Sequence, residues 1–349
     1  MKERLMMRTS TDRAASGVMS TGWILLGLLA LLLGLVVMNL LWGARMLSPV
    51  WLMHMFEPPG DRHELLVLQA RAPRVLAGVL AGMALAVAGT VIQALCRNPL
   101  ADPGLLGVNA GASASLVTLS LLPFASEWGV FWQALPGALL ASAFVYALSQ
   151  VQSALGQAQA PVRLILAGAA ISAVLGAYVQ ARVLLNPQLF DGFRYWMAGS
   201  LSGLGWSEVN ALWPYLVPAG LMLVLLAPGL NLLLLDRSTA VSLGMSLQRH
   251  TILAWLSATL LCAAATSVVG PLAFVGLAAG HLARAWLPMS FRVLLPGAAL
   301  AGGILVLSAD LLARVLLPPR ELLTGIMIAL LGAPFLYSAA RTAGEYKAS

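Results

Sequence analysis

The chain has 349 residues, 60% of them hydrophobic and 9% charged, with a formal net charge of +7 and a mean hydropathy of +0.88. Soluble globular domains carry about 25% charged residues, and disordered chains are polar and highly charged, so neither class fits. At about 20 apolar residues per bilayer crossing, the length accommodates about ten crossings with short connections.

In chain order, apolar runs place spans near 22–42, 66–95, 104–124, 129–149, 163–185, 208–235, 251–269, 272–288, 293–317 and 322–340. Residues 1–21 form a leading tail, 22–340 one transmembrane domain and 341–349 a trailing tail. Lys2, Arg4, Arg8 and Arg13 before the run from Gly22 to Trp42 imitate a signal peptide. That run exceeds the usual h-region of about 7–15 residues, so it reads as an uncleaved first span. The third run is weakly hydrophobic (Gly107, Asn109, Gly111, Ser113, Ser115), as suits a helix inside a bundle. Pro214, Pro218 and Pro228 should kink the sixth, where neighbouring helices can satisfy the freed carbonyls. Gly78/Gly82, Gly107/Gly111, Gly168/Ser172/Gly176 and Gly276/Gly280 repeat small residues at four-residue spacing, which lets helices approach closely in lipid.

The basic residues form no cluster and no helical stripe, which argues against a nucleic-acid partner. They do follow the positive-inside rule: with both termini cytoplasmic, twelve of the twenty Lys and Arg residues, both lysines included, fall inside. An internal echo points the same way. Pro99-Leu100-Ala101-x-x-Gly104-Leu105 opens the third span and Pro271-Leu272-Ala273-x-x-Gly276-Leu277 the eighth; Leu135-Pro136-Gly137-Ala138 of the fourth returns as Leu295-Pro296-Gly297-Ala298 in the ninth. Partners five spans apart run in opposite directions, the arithmetic of an inverted-topology repeat, a common transporter architecture.

Energy coupling is the next question. A P-loop needs a lysine at a fixed place, and Lys2 and Lys347, the two lysines, lie in the tails. Asp310 is the clearest intramembrane acid, and Arg314, four residues on, can pair with it on one helix face, a poor basis for a proton relay. Cys96 and Cys262 make no disulfide or zinc spacing, and Met53-His54-Met55 offers copper-type donors but reads as interfacial packing. No catalytic cluster, cofactor site or metal site is expected, and any transport energy comes from another subunit.

Three segments between spans stand out. Arg97-Asn98-Pro99-Leu100-Ala101-Asp102-Pro103-Gly104 is a compact inner turn, a rigid connector or a gate at the inner mouth. The stretch from Asp236 to His250, with capping residues Ser238 and Ser246, reads as short helices at the inner surface, about 238–250, and a natural docking element. On the outer side, Asp191 to Ser200 carries Tyr195 and Trp196, explained by an aromatic belt or by a re-entrant helix lining an outer vestibule.

Together these words resemble the permeases of iron–siderophore, haem and vitamin B12 ABC importers (FecCD type, type II importer fold). The resemblance spans about residues 65–340 and rests on Arg71-Ala72-Pro73-Arg74, the run Arg97 to Val108, Trp196 to Gly203, Ala240 to Gly244, Phe274-Val275-Gly276-Leu277, Val293 to Gly297, Asp310-x-x-x-Arg314 and Gly332-Ala333-Pro334-Phe335. Two words depart from the family: Gly280 stands where a proline usually precedes the histidine, and Glu321-Leu322-Leu323 replaces Glu-Leu-Pro.

The resemblance implies an all-α polytopic protein of about ten helices in a bacterial inner (plasma) membrane. It would pair with a second permease, identical or related, with two ATP-binding-cassette subunits that bind ATP and Mg, and with a periplasmic or surface substrate-binding protein. Arg71, Arg74 and Arg314 would meet glutamates of that binding protein; Asn98, Pro99 and Leu100 would form the inner gate; Ser238, Ala240, Ser242, Leu243 and Gly244 would belong to the coupling helix. Tyr195, Trp196, Gly199 and Ser200 would line the outer pathway. Ferric siderophore is the expected cargo, with haem or vitamin B12 as the alternative within the family and a stand-alone ion-coupled carrier outside it.

Overall fold

The computed structural model describes residues 2–43, 46–56, 62–125, 127–151, 160–233, 242, 246–317 and 320–334. Its helices are α1 (Lys2–Leu41), α2 (His63–Leu95), α3 (Val108–Leu119), α4 (Val130–Val151), α5 (Ala160–Leu185), α6 (Pro187–Met197), α7 (Trp206–Leu233), α8 (Leu247–Val269), α9 (Val275–Trp286), α10 (Phe291–Val315) and α11 (Thr324–Pro334). No strand occurs among the described residues.

Seven of these helices (α1, α2, α4, α5, α7, α8 and α10) are long and apolar enough to cross a bilayer. Two other expected spans are shorter, and the last is described only as far as Pro334. α3 and α9 have 12 residues each, about 18 Å at 1.5 Å per residue, against a hydrocarbon core of about 30 Å. Their echoed Pro-Leu-Ala words explain the shortness. After α2 the chain runs through a turn and a 3-10 segment, Pro103–Leu106, and Gly107 (φ 75) redirects it into α3. After α8, Gly270 (φ 76) and Phe274 (φ 66) do the same for α9. Both echoes therefore give broken helices at corresponding places. The leading residues are helical too: α1 starts at Lys2, and no proline interrupts the stretch from there into the apolar run, whose membrane-length part is Thr21–Leu41.

α2 and α8 form the centre, with 78% of each apolar window buried, while α1 and α5 are peripheral at 22% and 17%. α2 packs on α10 and on α9, and α8 packs on α4 and on α3; α9 lies against α10 as α3 lies against α4. An inverted repeat requires this pairing order. Small residues set the spacing. A Cβ on Gly111 would fall 2.2 Å from the carbonyl oxygen of Gly137, and one on Gly82 2.5 Å from that of Gly302. Backbone faces backbone there, so nothing can give. Gly111→Ala is expected to destabilise by about 1–3 kcal/mol, as overpacking generally does, measured as a lower thermal midpoint in detergent.

Candidate functional site

At one end of the bundle the last turn of α1, the first turns of α2, the last turns of α10 and the start of α11 converge on Asp310, which is fully buried. A carboxylate there is tolerable only when paired and hydrogen-bonded. Arg314, one turn on, brings Nη2 to 3.1 Å of Oδ2. Arg74 of α2 grips the carboxylate side-on, Nη2 at 2.9 Å from Oδ1 and Nε at 3.2 Å from Oδ2. The Thr324 hydroxyl donates to Oδ1 at 3.0 Å.

The same arginines finish α1. The closing carbonyls of a helix lack intrahelical partners; Arg314 donates to those of Asn39 (3.0 Å) and Trp42 (3.2 Å) and to the Asn39 side-chain oxygen. Arg71 donates to the Leu40 carbonyl at 2.9 Å. Asn39 in turn donates to Leu35 at 2.8 Å and across to Leu307 at 3.2 Å. Arg74 extends its remaining nitrogen to Glu321 at 2.7 Å. Arg71, Arg74 and Glu321, with His63 and Trp206, line a cavity of about 710 Å³. All three arginines expected to face a docking protein border this cavity, but Arg314 is only 2% exposed and directs its donors to α1 and Asp310.

The Asn98 turn lies at the opposite end. Arg97 takes the left-handed conformation (φ 47) and ends α2. The Asn98 amide donates to the Gln93 carbonyl at 3.1 Å, and its side-chain oxygen accepts from Leu100 N at 3.0 Å. Pro99 is exposed and Leu100 half-buried. Asn98 and Pro99 share a cavity of about 340 Å³ with Gln93, Arg284 and Phe291. Asp102 caps the following 3-10 segment by accepting from Gly104 N at 2.8 Å.

Burial pushes the Asp102 carboxyl above its ordinary value, opposed by that amide bond. An acid raised on folding loses stability as pH climbs from the unfolded carboxylate value, about 4, through the folded one. Asp102→Asn keeps the acceptor and removes the titration. Its thermal midpoint should match the parent's near pH 4 and exceed it at pH 8.

Of the coupling residues, Ser238, Ala240, Leu243 and Gly244 lie outside the described residues, and Ser242 is exposed. Ser246 occupies the N-cap position of α8. Residues 247–250, expected in a separate surface helix, are instead the first turn of that spanning helix.

α6 stands at the same end as Asp310 and separates two hollows. Tyr195, Trp196 and Ser200 line a cavity of about 540 Å³ with Phe131 and Glu208. Beyond α6, a groove of about 1340 Å³ runs between α3, α5 and α6, lined by small residues with Asn109, Ser113, Gln180 and Arg194 as its polar groups. Gly199 lines neither; it is buried at φ 73, behind the others. Sequence reasoning passed over Asn39, Gln93, Gln180 and Thr324. Their signal was a lone polar side chain within an apolar run, a pattern that marks functional or bridging positions in membranes.

Comparison with known proteins places this architecture. The FecCD transport family profile matches residues 30–341. The ferric enterobactin transport system permease protein FepD of Escherichia coli (strain K12) is 41% identical over 312 residues, 89% of this chain and 92% of FepD. The hemin transport system permease protein HmuU of Yersinia pestis is 38% identical over 270 residues, 77% of this chain and 80% of HmuU. A solved inward-facing conformation of a metal-chelate type ABC transporter superimposes with a TM-score of 0.78 at 26% identity, covering 92% of this chain and 99% of that one. A profile that matches most of the chain, together with relatives aligned over most of their length, leads to one conclusion: the chain is a multi-pass membrane permease and belongs to the FecCD transport family.

Proposed function

We propose that the chain is one half of the membrane unit of an ATP-driven importer that moves ferric siderophore across a bacterial inner membrane by alternating access. The supporting observation is the groove of about 1340 Å³ between α3, α5 and α6. It runs along α5, a spanning helix only 17% buried, and a second permease laid against that face would turn an open groove into a closed conduit. Its wall is mostly apolar, with Asn109, Ser113 and Gln180 as neutral polar groups and Arg194 as the one charge among the described lining residues; such a wall binds a bulky chelate weakly, so selection belongs to an external binding protein. That protein docks at the end carrying Arg71, Arg74 and Glu321. Exposed ion pairs contribute about 0.2–1 kcal/mol each, so they orient it more than they hold it. Two ATP-hydrolysing subunits grip the opposite end around residues 238–250, and their closure moves α7 and α8 and opens the Asn98–Leu100 gate.

The relatives' cargoes span ferric enterobactin, iron(III) citrate and hemin; cargo is therefore the point to test. The permease is to be reconstituted in vesicles with its ATPase and binding-protein partners and offered ferric catecholates, ferric citrate, haem and cobalamin. ATP-dependent accumulation of the ferric chelates is expected. Preference for haem or cobalamin would reassign the cargo, and uphill uptake by the permease alone, abolished by an uncoupler, would overturn the ABC reading.

A further inference from the structure

One tie at the gate end is made by residues to which no role has been assigned. Gln93 is 3% exposed near the end of α2. Its main-chain carbonyl accepts from Asn98 N at 3.1 Å and so holds the turn. Its side-chain oxygen accepts from Arg284 Nη2 of α9. One buried residue thus grips the turn with its backbone and α9 with its side chain. The amide Nε2 is buried without a hydrogen-bond partner, so the bond to Arg284 is the tie that fixes this side chain. Gly280 leaves room for it. A Cβ there would sit 2.9 Å from Gln93 Oε1, 3.1 Å from Thr90 Oγ1 and 3.4 Å from Arg284 Nη2.

The surroundings connect this tie to the coupling end. Phe291, which shares the 340 Å³ cavity with Arg284 and Asn98, donates its amide to Asn231 Oδ1 of α7 at 2.8 Å. α7 leads directly into residues 234–245. From the end of α7 to the turn, Asn231 is thus bonded to Phe291, which borders the cavity lined by Arg284, Gln93 and Asn98.

We propose that Arg284 is a positioning residue of the gate: its hydrogen bond to Gln93 ties α9 to the Asn98 turn, so that the turn opens only together with a movement of α9. The proposal rests on the reading of residues 98–100 as the inner gate. A charge-assisted hydrogen bond strains or breaks whenever the turn moves alone, and its weight corresponds to about tenfold or more in an equilibrium.

The test uses the complete transporter in membrane vesicles with Leu100→Cys as reporter, since Cys96 and Cys262 are both buried. The rate of labelling by a membrane-impermeant maleimide is followed with and without a non-hydrolysable ATP analogue. In the parent, nucleotide should change the rate. Arg284→Gln should speed labelling of the closed state and shrink the nucleotide-dependent ratio about tenfold, while Arg284→Lys should restore most of it. Gln93→Glu, which makes the acceptor a carboxylate, should slow labelling in both states.

Opposite shifts from Arg284→Gln and Gln93→Glu cannot both arise from general loosening. An unchanged ratio in Arg284→Gln, or shifts of the same sign in both variants, overturns the proposal. Labelling of the parent that ignores nucleotide would instead refute the gate reading itself, a separate result.

Discussion

Asp310→Ala is expected to lower the stability of the purified permease by about 3–5 kcal/mol, the usual consequence of stripping the partner from buried charge. Two guanidiniums depend on this carboxylate. Arg314, 2% exposed, would keep its bonds to the α1 carbonyls but lose its counter-charge, and Arg74 would keep only Glu321. The loss should appear as a thermal midpoint several degrees lower and as release of the α1 terminus. Arg314→Ala should be nearly as costly, because it frees the carbonyls of Asn39 and Trp42 as well as one side of Asp310.

The pair Asp310→Leu with Arg314→Met should recover part of the loss, since a buried ion pair replaced by apolar side chains of similar size is often tolerated. Arg74 still has Glu321 in that background. A double-mutant cycle measures the coupling directly. Should Asp310→Ala change stability by less than about 1 kcal/mol, within the range of exposed pairs, the cluster would be a surface feature rather than the staple that joins four helices.

This cluster also shows how much of the site can be read from sequence. Asp310 and Arg314 stand four residues apart on one helix, so their pairing is legible without a fold. Arg74 lies 236 residues from Asp310 and Asn39 275 from Arg314; no spacing rule brings those together. The resemblance supplied arginines as surface features, and hydropathy gave no way to see that α1 would end against Arg314 and draw it inward.

The fold divides similarly. A bilayer imposes a length on every crossing, so the runs that became α2, α4, α5, α7, α8 and α10 are visible to within a few residues. Hydropathy does not distinguish a full crossing from an apolar helix half as long. The shortness of α3 and α9 was written instead in proline, glycine and the positive-φ positions Gly107 and Gly270. Ser246 misled because a capping residue marks where a helix starts and says nothing of whether it then enters the membrane.

Gly270→Ala carries the second large expectation, because three chain breaks meet at that residue. Gly270 has φ 76 and ψ 179, a region that only glycine populates at ordinary cost. A Cβ there would stand 2.1 Å from the Trp196 carbonyl oxygen. Around it, Ser200 N donates to Val269 O at 3.0 Å and Gly325 N to Gly199 O at 3.0 Å. The link from α6 to α7 is thus pinned between the end of α8 and the start of α11.

Strain of about 1–3 kcal/mol and overpacking of about 1–3 kcal/mol act together at Gly270, since the Trp196 carbonyl and the Gly199 Cα, 3.2 Å from the new Cβ, are both backbone and the chain cannot turn away. Gly203→Ala supplies the comparison: φ is 77, but nothing lies within 4 Å of the new Cβ, so strain alone applies, about 1–2 kcal/mol. Thermal midpoints should therefore fall clearly further for Gly270→Ala than for Gly203→Ala. Transport should fail in the former, because displacing Trp196 closes the cavity that it lines with Tyr195 and Ser200. Equal midpoints for the two variants would mean that the link is free to move aside, and α6 would then be a mobile flap rather than a wall fixed between the two hollows.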